Sequence, residues 1–252
     1  MDIPGWVSAV IAAAVGLVIG SWLAVVIARV PHGQSLLRPP QCARCAARLR
    51  AADMIPVAGW LRRRGRCRDC GEPFGRCYLA AELVTAVSFA ALALRLGVSP
   101  VLPAFCYLAA VGVALAIIDI QHQRLPDALT LTSYPVALVL LGLAALGTAD
   151  GGRHVLDALI GMVAVGLFYL LQAVIYPAGM GWGDVKLSGL IGLYLGWLGA
   201  AVTVEGLLAG YLLAAATGIG LLVARRATRK SQLPFGPFML AGALAAILAS
   251  GR

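Results

Sequence analysis

Residues 102–120 read LPAFCYLAAVGVALAIIDI, an apolar run that carries no charge until it closes on one carboxylate, Asp119. A run of this length and composition crosses the hydrocarbon core of a bilayer as a helix, because only a helix satisfies its own backbone there. Working outward, seven further runs have the same character, over 7–28, 79–96, 129–147, 155–176, 185–200, 202–224 and 234–250. Of the 252 residues, 61% are hydrophobic and 12% charged, with a mean hydropathy of +0.89. An ordinary soluble domain, with a charged share of about a quarter, is excluded. The expected fold is an all-α polytopic membrane protein of about eight transmembrane helices. The first run opens with Asp2 and no basic residue and is followed by Arg29, which suits a retained helix rather than a cleaved signal peptide.

The net charge of +9 could suggest nucleic acid, but its distribution points elsewhere. Residues 29–78 hold eleven arginines against Asp53, Asp69 and Glu72. The positive-inside rule makes this loop cytoplasmic and the N-terminus external, with the lipid bilayer rather than nucleic acid as partner. Arg225, Arg226, Arg229 and Lys230 follow the seventh run, and the same count of crossings puts them inside too. Asp119 and Asp184 then share the cytoplasmic side, whereas Asp150, Asp157 and Glu205 fall outside. Asp157 reads as a first-turn acid favoured by a helix dipole.

Within the basic loop, Cys42-Ala43-Arg44-Cys45 and Cys67-Arg68-Asp69-Cys70 have the spacing of a four-thiolate structural zinc site. A loop of some fifty residues has too little apolar sequence to order itself without such a staple. Two disulfides would fit poorly with a reducing cytoplasm. Cys77 and Cys106 lack a matching spacing and read as bystanders.

The carboxylates carry the chemistry. Asp184 closes Gly179-Met180-Gly181-Trp182-Gly183-Asp184, and Asp119 precedes Gln121-His122-Gln123-Arg124-Leu125-Pro126-Asp127. An acid at the end of a membrane span usually marks a proton path, an ion site or a catalytic centre. Pro126 disfavours helix at Leu125, which lets Asp127 cap a helix starting near Ala128. Arg124 or Lys186 could pair with Asp119. Gly181, Gly183 and their neighbours are expected to let the backbone break from helix and approach a substrate strand, and Lys186 to bias the charge of the acids or snorkel to the interface. Two carboxylates in one low-dielectric pocket share a proton, so one can act as base on water while the other donates to an oxyanion. Metalloprotease and rhomboid-like serine chemistry are not supported, since His-Glu-x-x-His and Gly-x-Ser-Gly are both absent.

Taken in order, these motifs resemble the type IV prepilin peptidases, bacterial membrane aspartyl proteases of the Gly-x-Gly-Asp type. The likeness includes Gly20-Ser21 through Arg29-Val30-Pro31, the cysteine knuckles, Ile55-Pro56-Val57, Arg64-Gly65-Arg66-Cys67, Ile118-Asp119 through Asp127, Gly181 through Leu187, and Leu233-Pro234-Phe235-Gly236-Pro237-Phe238. Ala24 and Met54 stand where the family commonly has asparagine, and Phe74-Gly75-Arg76-Cys77-Tyr78 replaces its Ile-Ser-x-Arg-Tyr. The resemblance implies that Asp119 and Asp184 cut the leader from prepilins and pseudopilins at the cytoplasmic face of the inner membrane. It implies a helix over 1–28, a zinc loop over 29–78 and a peptidase core over 79–252, with pilus or secretion assembly proteins as further partners. The cysteine loop resembles that of members that also N-methylate the new terminus with S-adenosylmethionine, although no Gly-x-Gly-x-x-Gly loop is present. A transporter with paired acids, a presenilin-like intramembrane protease and an assembly scaffold are the rival readings.

Overall fold

The computed structural model describes residues 4–37, 41–42, 44–45, 47–48, 55–62, 64–72, 76–177, 180–226, 228 and 233–250. Met54, Phe74, Gly75, Gly179, Arg229, Lys230 and three arginines of the basic loop (Arg38, Arg50, Arg63) lie outside the described residues. Regular structure among the described residues is helical, with one isolated bridge between Gln41 and Arg48. Helix α1 spans Gly5–Arg29 and runs into a 3-10 turn, Val30–His32; a short α2, Ala58–Arg62, lies in the cysteine loop. Then follow α3 (Arg76–Leu96), α4 (Leu102–His122), α5 (Asp127–Leu146), α6 (Gly151–Ile175), α7 (Trp182–Leu198), α8 (Ala200–Val223) and α9 (Gly236–Ala249).

All eight expected runs are helical. Six are long and apolar enough to cross a membrane. The remaining two, α7 with 17 residues and α9 with 14, are shorter. At 1.5 Å per residue α9 extends about 21 Å, less than the roughly 30 Å hydrocarbon core. Helix α7 occupies the centre, every side chain from Leu187 to Trp197 being buried. A helix apolar on all faces belongs in such a place. Large apolar residues such as Val10, Leu146, Ile160, Leu171, Leu208 and Leu212 are exposed around the outside, as a lipid-facing surface requires.

In a bilayer no hydrophobic force draws one helix to another, so close backbone approach must do so. Helices α1 and α3 meet at Gly16 and Gly20, where an added Cβ would lie 2.8 Å from Ala86 Cα and 2.6 Å from Glu82 Cα. Helices α6 and α7 meet in the same way through Gly161, Gly192 and Gly196, which fixes an antiparallel register. The break between α7 and α8 is one residue, Gly199, at φ +114°, a conformation other residues avoid. Helix α6 begins at Gly151, so Asp157 stands in its second turn rather than its first, beside Arg153 at 3.9 Å. This corrects its expected place, because the chain starts helix immediately after Asp150.

Candidate active site and cysteine cluster

Three helix ends converge at one end of the bundle. Asp119 sits in the last turn of α4, Asp184 in the first turn of α7, and Gly236 opens α9. Pro126 stops the chain from continuing α4, and Pro237 in the first turn of α9 suits a helix start. The two carboxylates, from runs distant in sequence, are within Coulombic reach of each other. Asp119 is 5% exposed, and its Oδ2 is buried without a hydrogen bond although the Gly236 N–H lies nearby. An orphaned buried carboxylate oxygen is costly unless another group or water uses it. Asp184 is half-buried and follows the Gly181 N-cap, whose carbonyl accepts its N–H at 3.0 Å.

Backbone closeness makes this approach feasible. A Cβ on Gly236 would lie 2.9 Å from Asp119 Oδ2, and one on Gly181 would lie 3.3 Å from Asp184 Oδ2. Leu125 reaches between the two helix starts, against Gly183 and toward Gly236. Behind them Tyr169, Tyr211 and Phe235 form an aromatic wall, with Phe235 5.3 Å from Tyr211 and 6.2 Å from Tyr169. Tyr169 lies within Coulombic reach of Asp184, and the Tyr211 hydroxyl donates to Gln172 Oε1 at 2.8 Å. Leu125 and Phe235 belong to quoted motifs, but nothing in the sequence singled out their packing; Tyr169 and Tyr211 carried no signal at all.

Three local expectations are corrected. Trp182 already begins α7, so Gly183 and Gly189 are helical and serve close packing, against Leu125 and Tyr134, rather than a break from helix. Among the described glycines of this motif, Gly181 keeps extended backbone, at φ −76° and ψ 143°. Asp127 is the first residue of α5 and makes no capping bond; it pairs with Lys186 at 2.7 Å. Lys186 is thereby tied to α5 instead of to either candidate acid. His122 packs edge-on against His32, with ring centroids 5.5 Å apart.

The cysteine cluster lies at the same end of the bundle, between α1 and α3. The four sulfurs of Cys42, Cys45, Cys67 and Cys70 lie within 4.8 Å of one another, the Cys42–Cys70 and Cys45–Cys67 pairs at 3.8 Å, and none forms a disulfide. Sulfurs at 2.3 Å from a tetrahedral ion are about 3.8 Å apart, so this arrangement fits a structural zinc site. Each knuckle is closed by backbone, with Cys42 N–H donating to Ala47 O and Cys67 N–H to Glu72 O. Backbone N–H groups of Cys45 and Arg44 hold the Cys42 thiol down to about 7. At Cys70 the Glu72 N–H acts in the same direction but is outweighed by desolvation and the neighbouring sulfurs, and the thiol is pushed up to about 12. Four such thiols cannot all ionise together unless a cation compensates them. Gly65, at φ +66°, lies beneath the Trp60 ring, which seats α2 on the second knuckle. Cys77 and Cys106 stand apart from the cluster.

Residues 14–96 match the family model for the bacterial peptidase A24 N-terminal domain, and residues 105–223 match that for the type IV leader peptidase family. The chain is 30% identical over 235 residues to a prepilin leader peptidase/N-methyltransferase of Bacillus subtilis (strain 168), covering 92% of this chain and 91% of that one. A protein of the same description from Aeromonas hydrophila is 33% identical over 260 residues, covering 92% and 87%. One from Myxococcus xanthus (strain DK1622) is 37% identical over 215 residues, covering 81% and 62%. No solved structure matches significantly.

Proposed function

Because the chain belongs to the type IV leader peptidase family, we propose that it is a membrane aspartyl endopeptidase that removes leaders from prepilins and pseudopilins, with Asp119 and Asp184 as its catalytic pair. The observation that carries this reading is the convergence of the two carboxylates at the joined ends of α4, α7 and α9. Two carboxyls in one apolar pocket share a proton, so in this mechanism one holds it while the other is ionised. The ionised group takes a proton from water as the water oxygen attacks the scissile carbonyl. The protonated group donates to the developing oxyanion. Collapse of the tetrahedral intermediate then breaks the C–N bond, and a proton returned by the pair leaves with the amine. Neither a metal nor a covalent intermediate is required for this step. Gly181 would offer extended backbone to the substrate, and Gly236 the N–H nearest Asp119. Lys186, through Asp127, would hold the first turns of α5 and α7 in register.

The positive-inside rule supports a cytoplasmic site and an external N-terminus in the inner membrane. Cleavage would follow a glycine in a short basic leader. The names of the relatives support a second activity, N-methylation of the new terminus with S-adenosylmethionine as methyl donor. The cysteine cluster would order the loop by holding zinc, and the same loop offers a surface for pilus or secretion assembly proteins.

Membranes carrying wild type, Asp119→Ala, Asp184→Ala and Asp127→Ala are presented with a prepilin bearing a basic leader that ends in glycine. Leader removal should vanish in the first two variants and persist in the third, and mass spectrometry of the product should show whether a methyl group was added. Removal that survives loss of either Asp119 or Asp184 would overturn the aspartyl mechanism.

A further inference from the structure

Glu82 is a second buried acid at the cysteine-loop end of the bundle. It lies on α3, is 8% exposed, and its backbone is pressed against Gly20 of α1. A carboxylate inside a membrane helix is rare enough that it calls for a job. Its Oε2 accepts the N–H of Val57 at 2.8 Å. Val57 is at φ +58°, in the left-handed region that a β-branched side chain rarely enters. A residue stays in such a conformation only where its surroundings over-determine it.

The Val57 contact continues into the loop. The Val57 carbonyl accepts the Leu61 N–H of α2 at 2.9 Å, and Trp60 of α2 covers Gly65, two residues before Cys67. Tyr78, near the start of α3, lies within Coulombic reach of both Arg29 and Cys42. Among the described residues, the Glu82–Val57 hydrogen bond thus ties the segment leading through α2 to the second knuckle onto α3.

We infer that Glu82 is the anchor that locks the cysteine loop onto the membrane bundle, a structural tether apart from the leader-cleaving site. The four cysteines would fold the loop on itself when they hold zinc; Glu82 sets where the folded loop sits. The helical packing of α1 on α3 does not depend on it, since that contact is made by backbone at Gly16 and Gly20. Only the activity readout of the test below rests on the proposed peptidase function.

Membranes carrying wild type, Glu82→Leu, Glu82→Gln and Val57→Gly are treated with trypsin, which cuts at the arginines of the loop, and are assayed for zinc content and removal of the same prepilin leader. Glu82→Leu should be cut in the loop at least about tenfold faster than wild type, with zinc retained and leader removal within about threefold. Glu82→Gln should match wild type, because its amide oxygen still accepts the Val57 N–H. Val57→Gly, which keeps the donor and relieves the left-handed residue, should match it too. Unchanged trypsin cutting in Glu82→Leu, equal exposure of the loop in Glu82→Gln, or failure of Glu82→Leu to accumulate in membranes would each overturn the anchor. Leader removal that persists in Asp119→Ala or Asp184→Ala would count against the peptidase mechanism and leave the trypsin result standing.

Discussion

The cysteine cluster and the carboxylate pair lie at the same end of one bundle, yet they are ordered by opposite means. Each cysteine knuckle is made by residues three apart and closed by its own backbone bonds, so a short stretch of chain and an ion suffice to define it. The carboxylates come from separate helices and lie within Coulombic reach only because α4, α7 and α9 pack as they do. One centre is therefore a local structure attached to the bundle, while the other is a property of the bundle itself. Damage to either should be separable from damage to the other.

The most severe test of that separation is Asp184→Asn or Asp119→Asn, which preserves shape and removes the acid. Leader removal should fall by about a thousandfold, the scale of general acid–base catalysis, with zinc content unchanged. Gly236→Ala comes next, because the added Cβ would lie 2.9 Å from Asp119 Oδ2. It should lower kcat by about ten- to a hundredfold without loss of protein from membranes, as expected when a reacting group is displaced by about 1 Å. Cys67→Ser should release zinc and expose the loop to trypsin, while leader removal changes by no more than about threefold. A collapse of leader removal together with the zinc would break the comparison. Lys186→Ala removes a partly exposed pair with Asp127, worth at most about 1 kcal/mol, and should change kcat by only a few-fold. Thermal unfolding in detergent and initial rates would measure it.

Several features of the bundle were legible because they depend on the bilayer more than on neighbours. The apolar runs, the break at Pro126 and the end of the bundle on which each acid falls follow from length, composition and crossing order, whereas the break between α7 and α8 falls at Gly199, inside the expected run 185–200. The cysteine spacing was equally direct, and the four sulfurs take up the arrangement a metal would need. The finer errors share one cause. At Asp127 and Gly183, local rules forecast a cap and a break from helix, but contacts from other helices override them: Lys186 reaches across to the first, and Leu125 packs on the second. Nothing along α3 tells that Glu82 would meet Val57.

By itself the sequence determined the membrane class, the helical runs, the metal-type cluster and the two acids worth suspecting. Each is a consequence of hydrocarbon solvation, thiolate spacing or the cost of charge in an apolar segment, and these act within short stretches of chain. Tertiary structure alone decided that α7 lies at the centre, that Gly236 faces Asp119, that Tyr169 and Tyr211 wall the pocket, and that Glu82 reaches the loop. Those contacts join residues far apart in the chain, and their positions are set by which helix backbones can approach closely.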